Sequence, residues 1–181
     1  MKTRIMACIV GLTALSTTAT WGLTPQNLVR IERRVAREFP EAHVLEIERQ
    51  SDWANNVVSV FVSNGRELYL DLDDRVLEIE REILDREERQ ISRALADDST
   101  FPALARIYRE VLEQLAESEQ GSRVTPEFFY RIEYEQERGQ MIVAVTFRSG
   151  AGGFGDPDRR TSQVTVYANP RNGNIIAVRQ R

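Results

Sequence analysis

The chain has 181 residues, a formal net charge of −4 and a single cysteine, Cys8. That length holds one sizeable core or two small ones, and the acidic balance argues against nucleic acid as a partner. One cysteine excludes an internal disulfide, and the single lysine is Lys2, so beyond the first residues there is no candidate for thiol or Schiff-base catalysis.

Residues 1–22 read as a secretory signal peptide. Lys2 and Arg4 precede the apolar segment Ile5–Leu15, and STTATWG follows, with cleavage expected between Ala19 and Gly22. A helix this short spans about 16 Å and cannot cross a hydrocarbon core of about 30 Å, so no transmembrane segment is expected in the mature chain. Ile5-Met6-Ala7-Cys8 loosely resembles a lipobox, but no apolar run precedes the cysteine. The address implied is export, periplasmic or secreted. Without its leader the chain carries 22 arginines against 28 acidic residues. Arginine without lysine is either a compositional bias, the simpler reading, or a use of forked, bidentate contacts.

Residues 23–80 form a first unit. Thr24-Pro25 is an N-cap followed by proline at the first helical position. Leu28, Ile31, Val35 and Phe39 then fall at helical spacing with Arg30, Arg33, Arg34 and Arg37 between them, and Pro40 ends the helix. His43–Arg49 alternates, with Leu45 and Ile47 on one face and Glu46 and Glu48 on the other. A polar turn over Ser51–Asn56 leads to the β-branched strand Val57–Val62, and Asn64-Gly65 is a hairpin signal. Leu68, Leu70 and Leu72 alternate with Glu67, Tyr69 and Asp71, and after Asp73-Asp74 the run restarts at Val76–Ile79. Residues 81–98 read as a charged connecting helix with Glu82/Arg86 and Asp85/Arg89 pairs and a thin stripe of Ile83, Leu84, Ile91, Ala94 and Leu95.

Residues 99–181 repeat the pattern. Leu104, Ile107, Val111 and Leu115 follow Leu28, Ile31, Val35 and Phe39 by 76 positions, and Arg106 and Arg109 echo Arg30 and Arg33. Phe129–Glu137 predicts a strand with Tyr130, Ile132 and Tyr134 inward. Met141–Phe147 reads as a central strand apolar on both faces, and after the glycine-rich stretch Ser149–Arg160 come Val164–Ala168 and a closing hairpin. The expected fold class is α+β: two tandem units, each an amphipathic helix packed on a four-stranded antiparallel meander, joined by the charged helix; the units are expected to pack together or share that helix, and a sheet continuous through both stays open.

The chain resembles PepSY-type domains, the small secreted modules named for peptidase propeptides. The resemblance rests on an amphipathic helix, an I-E-type strand (Glu46-Ile47-Glu48; Ile132-Glu133-Tyr134), a central apolar strand and a closing hairpin. That hairpin runs from Tyr69-Leu70-Asp71 to Leu77, and again from Val166-Tyr167-Ala168-Asn169 to Ile176, with Gly173 in the second turn and Asp73-Asp74-Arg75 in the first. The resemblance implies an exported binding or inhibitory module linked to peptidase control and supplies no catalytic residues.

Candidate chemistry is sparse. Asp71, Asp73 and Glu82 fall at positions 1, 3 and 12 of an EF-hand register, but Arg75 and Val76 stand where a ligand and a glycine are needed, so a turn is the better reading and no metal is expected. Glu133, Glu135 and Glu137 share one strand face; a paired-carboxylate hydrolase is conceivable, a solvated face the better reading. Gly150–Arg160 is glycine-rich but is followed by a strand rather than a phosphate-binding helix, so no cofactor is expected. Phe154, Arg159 and Arg160 in that stretch have the composition of a contact anchor, with a plain surface loop an equal reading, and Trp53 in the first turn is a further candidate for protein binding, though packing back on the sheet is its better reading. Trp53 shares a surface with that loop only if the units pack head to tail or about a pseudo-twofold axis. His43 has no companions for metal binding. The expectation is a non-enzymatic exported module that binds another envelope protein, a peptidase being the leading candidate. The alternative is a small-molecule or lipid-binding module with a cavity between helix and sheet, lined by Phe39, Phe61, Tyr130 and Tyr134.

Overall fold

The computed structural model describes residues 22–50, 57–71, 73, 75–118, 124, 126–149 and 162–180. Helix α1 spans Pro25–Glu38 and is followed by strands β1 (Val44–Gln50), β2 (Val57–Val62), β3 (Arg66–Asp71) and β4 (Val76–Arg81). Helices α2 (Arg86–Asp97) and α3 (Leu104–Ala116) come next, then β5 (Phe129–Glu137), β6 (Gln140–Ser149), β7 (Ser162–Ala168) and β8 (Ile175–Gln180). All eight strands belong to one sheet in the order β4-β3-β2-β1-β5-β6-β7-β8, and every neighbouring pair is antiparallel.

This corrects the expectation of two tandem helix-on-four-strand units. Strands β1 and β5 pair through Glu46↔Glu133, Ile47↔Ile132 and Glu48↔Arg131, so the sheet is continuous across its middle. Two separate four-stranded sheets would each leave a β1-type edge with unpaired N–H and C=O groups; joining them removes both edges. Helix α2 docks along one side. It packs on β5 and β1, with Ile91 and Leu95 buried, and so covers the junction. The helix starts at Arg86 because Asp85 caps it, accepting from Glu88 N at 2.8 Å while Glu88 Oε2 accepts from Asp85 N at 2.6 Å. The residues before that cap, Val76–Arg81, continue the sheet as β4, and Ile83, expected in the stripe, is 94% exposed.

The core lies between the helices and one face of the sheet. Leu28, Ile31 and Val35 of α1 and Leu104, Ile107, Tyr108, Val111 and Leu115 of α3 are buried there. Beneath them lie Ile47, Val60, Leu68, Ile132, Val145 and Val166, which the strand registers place opposite one another across six strands. The Tyr108 ring meets Phe129 edge-on at 5.0 Å and fills the space beneath α3. Thr24 caps α1 in a capping box with Asn27, as the Thr-Pro start predicts.

The β7–β8 turn docks on α3. Gln114 Nε2 donates to the Gly173 carbonyl at 3.0 Å, and Gln114 Oε1 accepts from Ile175 N at 3.0 Å. Gly173 has φ +74°, and a Cβ there would sit 2.7 Å from Glu110 Cβ. Gly173→Ala therefore meets both a left-handed backbone and a collision. It is expected to destabilise by about 2 kcal/mol or more, read as a lower midpoint in urea with unchanged slope.

Candidate binding surface

The helices cover one face of the sheet, and strand alternation assigns the other. Its middle carries Glu46 and Glu48 on β1, Val57, Ser59 and Phe61 on β2, Arg131, Glu133 and Glu135 on β5, and Ile142, Ala144 and Thr146 on β6. Apolar and small residues on β2 and β6 flank a polar centre on β1 and β5. Phe61, Ser59, Ile142, Ala144 and Thr146 are all buried, so the flanks are sunk among their neighbours.

The centre is a connected network. The Tyr130 hydroxyl donates to Glu48 Oε1 at 2.7 Å, and the Arg148 guanidinium stacks 3.3 Å above the Tyr130 ring. Arg131 Nε lies 2.8 Å from Glu133 Oε1, an ion pair not aligned as a hydrogen bond, and Arg131 Nη1 lies 3.7 Å from Glu48. Glu46 faces Glu133 directly across the β1–β5 junction. Burial, with Glu133 beside it, pushes the Glu46 carboxyl up to about 8. Burial pushes Glu133 up to about 7, against the pull of Arg131. Both carboxyls are thus pushed upward, by burial first, so Glu133 is not the freely solvated carboxylate expected, while Glu137 of the same row is exposed. The cross-strand partner supplies the crowding, and no spacing within β5 alone reveals it.

Two aromatics expected on the helix side belong to this face instead. A register shift between Phe129 and Arg131 buries Phe129 and turns Tyr130 to the Glu48 side. Phe61 pairs with Glu46 and Glu67, opposite in alternation to the core residue Val60. Phe39 and Tyr134 do lie on the core side, and the Tyr134 hydroxyl donates to the Pro102 carbonyl at 3.2 Å.

Phe154, Arg159, Arg160 and Trp53 lie outside the described residues. The strand ends that flank them are described. Following the registers from β1 through β5 to β6, Gln50, Phe129 and Ser149 come at the same end of the sheet, with Val57 and Ser162 beside them. At the EF-hand-like register, Asp71 Oδ1 accepts from Asp73 N and Arg75 N, both at 2.9 Å, and is committed to its turn. Glu67, Glu80 and Glu82 bring a carboxylate oxygen each within 4.8 Å of one another, but two of the three are exposed and all three are acids. His43 spends its backbone on Ser63, donating to Oγ at 2.9 Å and accepting from Ser63 N at 2.9 Å.

One buried acid escaped the sequence reading. Glu32 of α1 accepts from Ala105 N at 3.3 Å and so caps α3, whose own N-cap residue, Ala103, has no side chain able to do so. Burial raises its carboxyl to about 7. The missing cap at Ala103 was the available signal. Glu32 also borders a recess of about 300 Å³ shared with His43, Leu95, Phe101 and Tyr134.

These three glutamates make stability depend on pH, and Glu67 and Glu88, also raised by burial, act in the same sense. Folding raises each above the ordinary 4.5, so the folded protein keeps protons that the unfolded chain releases. Their full stabilisation is present below pH 4.5 and is lost as pH rises through 7 to 8. Asp98 acts in the opposite sense: hydrogen bonds from Thr100 and Arg171 hold it at about 2, so its stabilisation is present above the ordinary 3.8 and lost as pH falls toward 2. The thermal midpoint should be higher at pH 5 than at pH 8, and Glu46→Gln should flatten the difference chiefly by raising the pH 8 value by a few degrees.

No protein-family model matches the chain, and no curated protein does. Among solved structures, one described as a "putative lipoprotein" from Clostridium difficile 630 is similar at a TM-score of 0.47 with 14% identity, covering 89% of this chain and 95% of that one. Among the described residues no helix is long and apolar enough to cross a membrane.

Proposed function

We propose that the chain is an exported, non-enzymatic module that binds an envelope protein on the helix-free face of its sheet. The observation that carries this reading is the tied network of Arg148, Tyr130, Glu48, Arg131 and Glu133, seated between the buried Phe61 and Ile142 on a face that no helix covers among the described residues. Tyrosine and arginine held in place by neighbours, with apolar residues beside them, have the composition of an interface centre. Ordering before contact lowers the entropy cost of binding. The PepSY resemblance points to a peptidase as the partner. Trp53, Phe154, Arg159 and Arg160, outside the described residues, remain candidates on composition alone.

A second reading, a small-molecule site between helices and sheet, draws on the recess of about 300 Å³ beside Glu32 and Tyr134. One experiment separates the two. Immobilised residues 23–181 should retain a specific protein from the envelope extract of the source organism. Tyr130→Ala with Phe61→Arg should lose it, as should deletion of residues 150–158. Retention unchanged by both variants contradicts the assignment of the face. Retention of nothing by the folded module turns the search to ligands of the recess.

A further inference from the structure

Helix α1 carries Arg30, Arg33, Arg34 and Arg37 at spacings of three and four, which puts all four on one flank. The β3–β4 turn faces that flank. Where the β7–β8 turn closes onto α3 through Gly173 and Gln114, the β3–β4 turn leaves an open cleft of about 630 Å³. Asp73, Arg75 and Val76 complete its lining, so five arginines and one aspartate converge there in a chain of net charge −4.

The ordinary duties of surface arginines do not account for Arg33, Arg37 and Arg75. Arg34 pairs with Glu38 at 2.7 Å, yet its Nε is buried without a hydrogen-bond partner. Among the described residues the side chains of Arg33, Arg37 and Arg75 make no ion pair. Glu32, the acid inside the stripe, is turned toward α3, where it caps Ala105. Stability of the helix is no explanation either, since like charges three and four apart repel. Helix α2, by contrast, places Glu87 and Glu88 between Arg86 and Arg89.

We propose that this cleft binds a ligand carrying two or more phosphate groups. Guanidinium forks match phosphate oxygens in pairs, and a phosphate offers oxygens to several forks at once. From Arg30 to Arg37 the helix rises about 10 Å, a span for several anionic groups in a row rather than for one. The cleft lies on the helix side of the sheet, so the assignment stands apart from the binding face proposed above.

Titration calorimetry of the purified protein with inorganic tripolyphosphate at low ionic strength tests it, with co-sedimentation on phosphatidylglycerol and phosphatidylcholine vesicles beside it. Arg33→Gln/Arg37→Gln should weaken tripolyphosphate binding about tenfold or more while leaving the thermal midpoint unchanged or higher. Arg93→Gln, which removes an exposed charge on α2, should bind within about twofold of the parent. Binding that weakens with salt and with the double variant supports a free polyanion as ligand. Sedimentation with phosphatidylglycerol alone, lost in the double variant and competed by tripolyphosphate, supports the same site with a lipid headgroup as the source. Binding that the double variant leaves intact, or that Arg93→Gln weakens equally, overturns the proposal. So does failure of the folded protein to bind either probe.

Discussion

Everything in this molecule depends on a short pairing at the middle of the sheet, Glu46↔Glu133, Ile47↔Ile132 and Glu48↔Arg131. On the core side it brings together Ile47 and Ile132, both fully buried. On the other side it sets two carboxylates opposite each other where a sheet would favour unlike charges. The first contact favours folding through apolar burial, and the second opposes it at neutral pH. Helix α2 lies over this junction through Ile91 and Leu95, and Arg171 of the β7–β8 turn ties down the following loop, bonding Asp98 at 2.7 Å and Thr100 at 2.8 Å.

The two faces that result are chemically unlike. The helix layer presents the arginines of α1, of which Arg34 pairs with Glu38 while Glu32 turns away toward α3. The open face presents glutamates, tyrosines and a few arginines locked into pairs. The two surfaces share no residue, so they can engage different partners without competing.

Local features were readable before any coordinates. Thr24-Pro25 begins α1, Asn64-Gly65 turns the β2–β3 hairpin with Gly65 at φ +73°, and the alternation of Leu68 and Leu70 fixes which side of β3 is buried. What escaped was non-local. No period in His43–Arg49 says that its free edge will be taken by a strand more than eighty positions later, so the joined sheet and the Glu46–Glu133 pair were both hidden. The register shift before Arg131 inverted the side on which Tyr130 was expected, since a one-residue change swaps faces. Glu32 looked like one more surface acid because the helix it caps belongs to a distant part of the chain.

The central claim is that β1 and β5 are bonded and that their glutamates meet on a face partly closed to water. Carbon-detected NMR titration of the glutamate side-chain carboxyls measures this directly. The account predicts that Glu46 and Glu133 titrate together in coupled steps well above 4.5, still changing between pH 6 and 8, and that Glu133→Gln lowers the midpoint of Glu46. Independent titration of both near 4.5 would contradict it, because two carboxylates that far from each other's field cannot face across a shared seam.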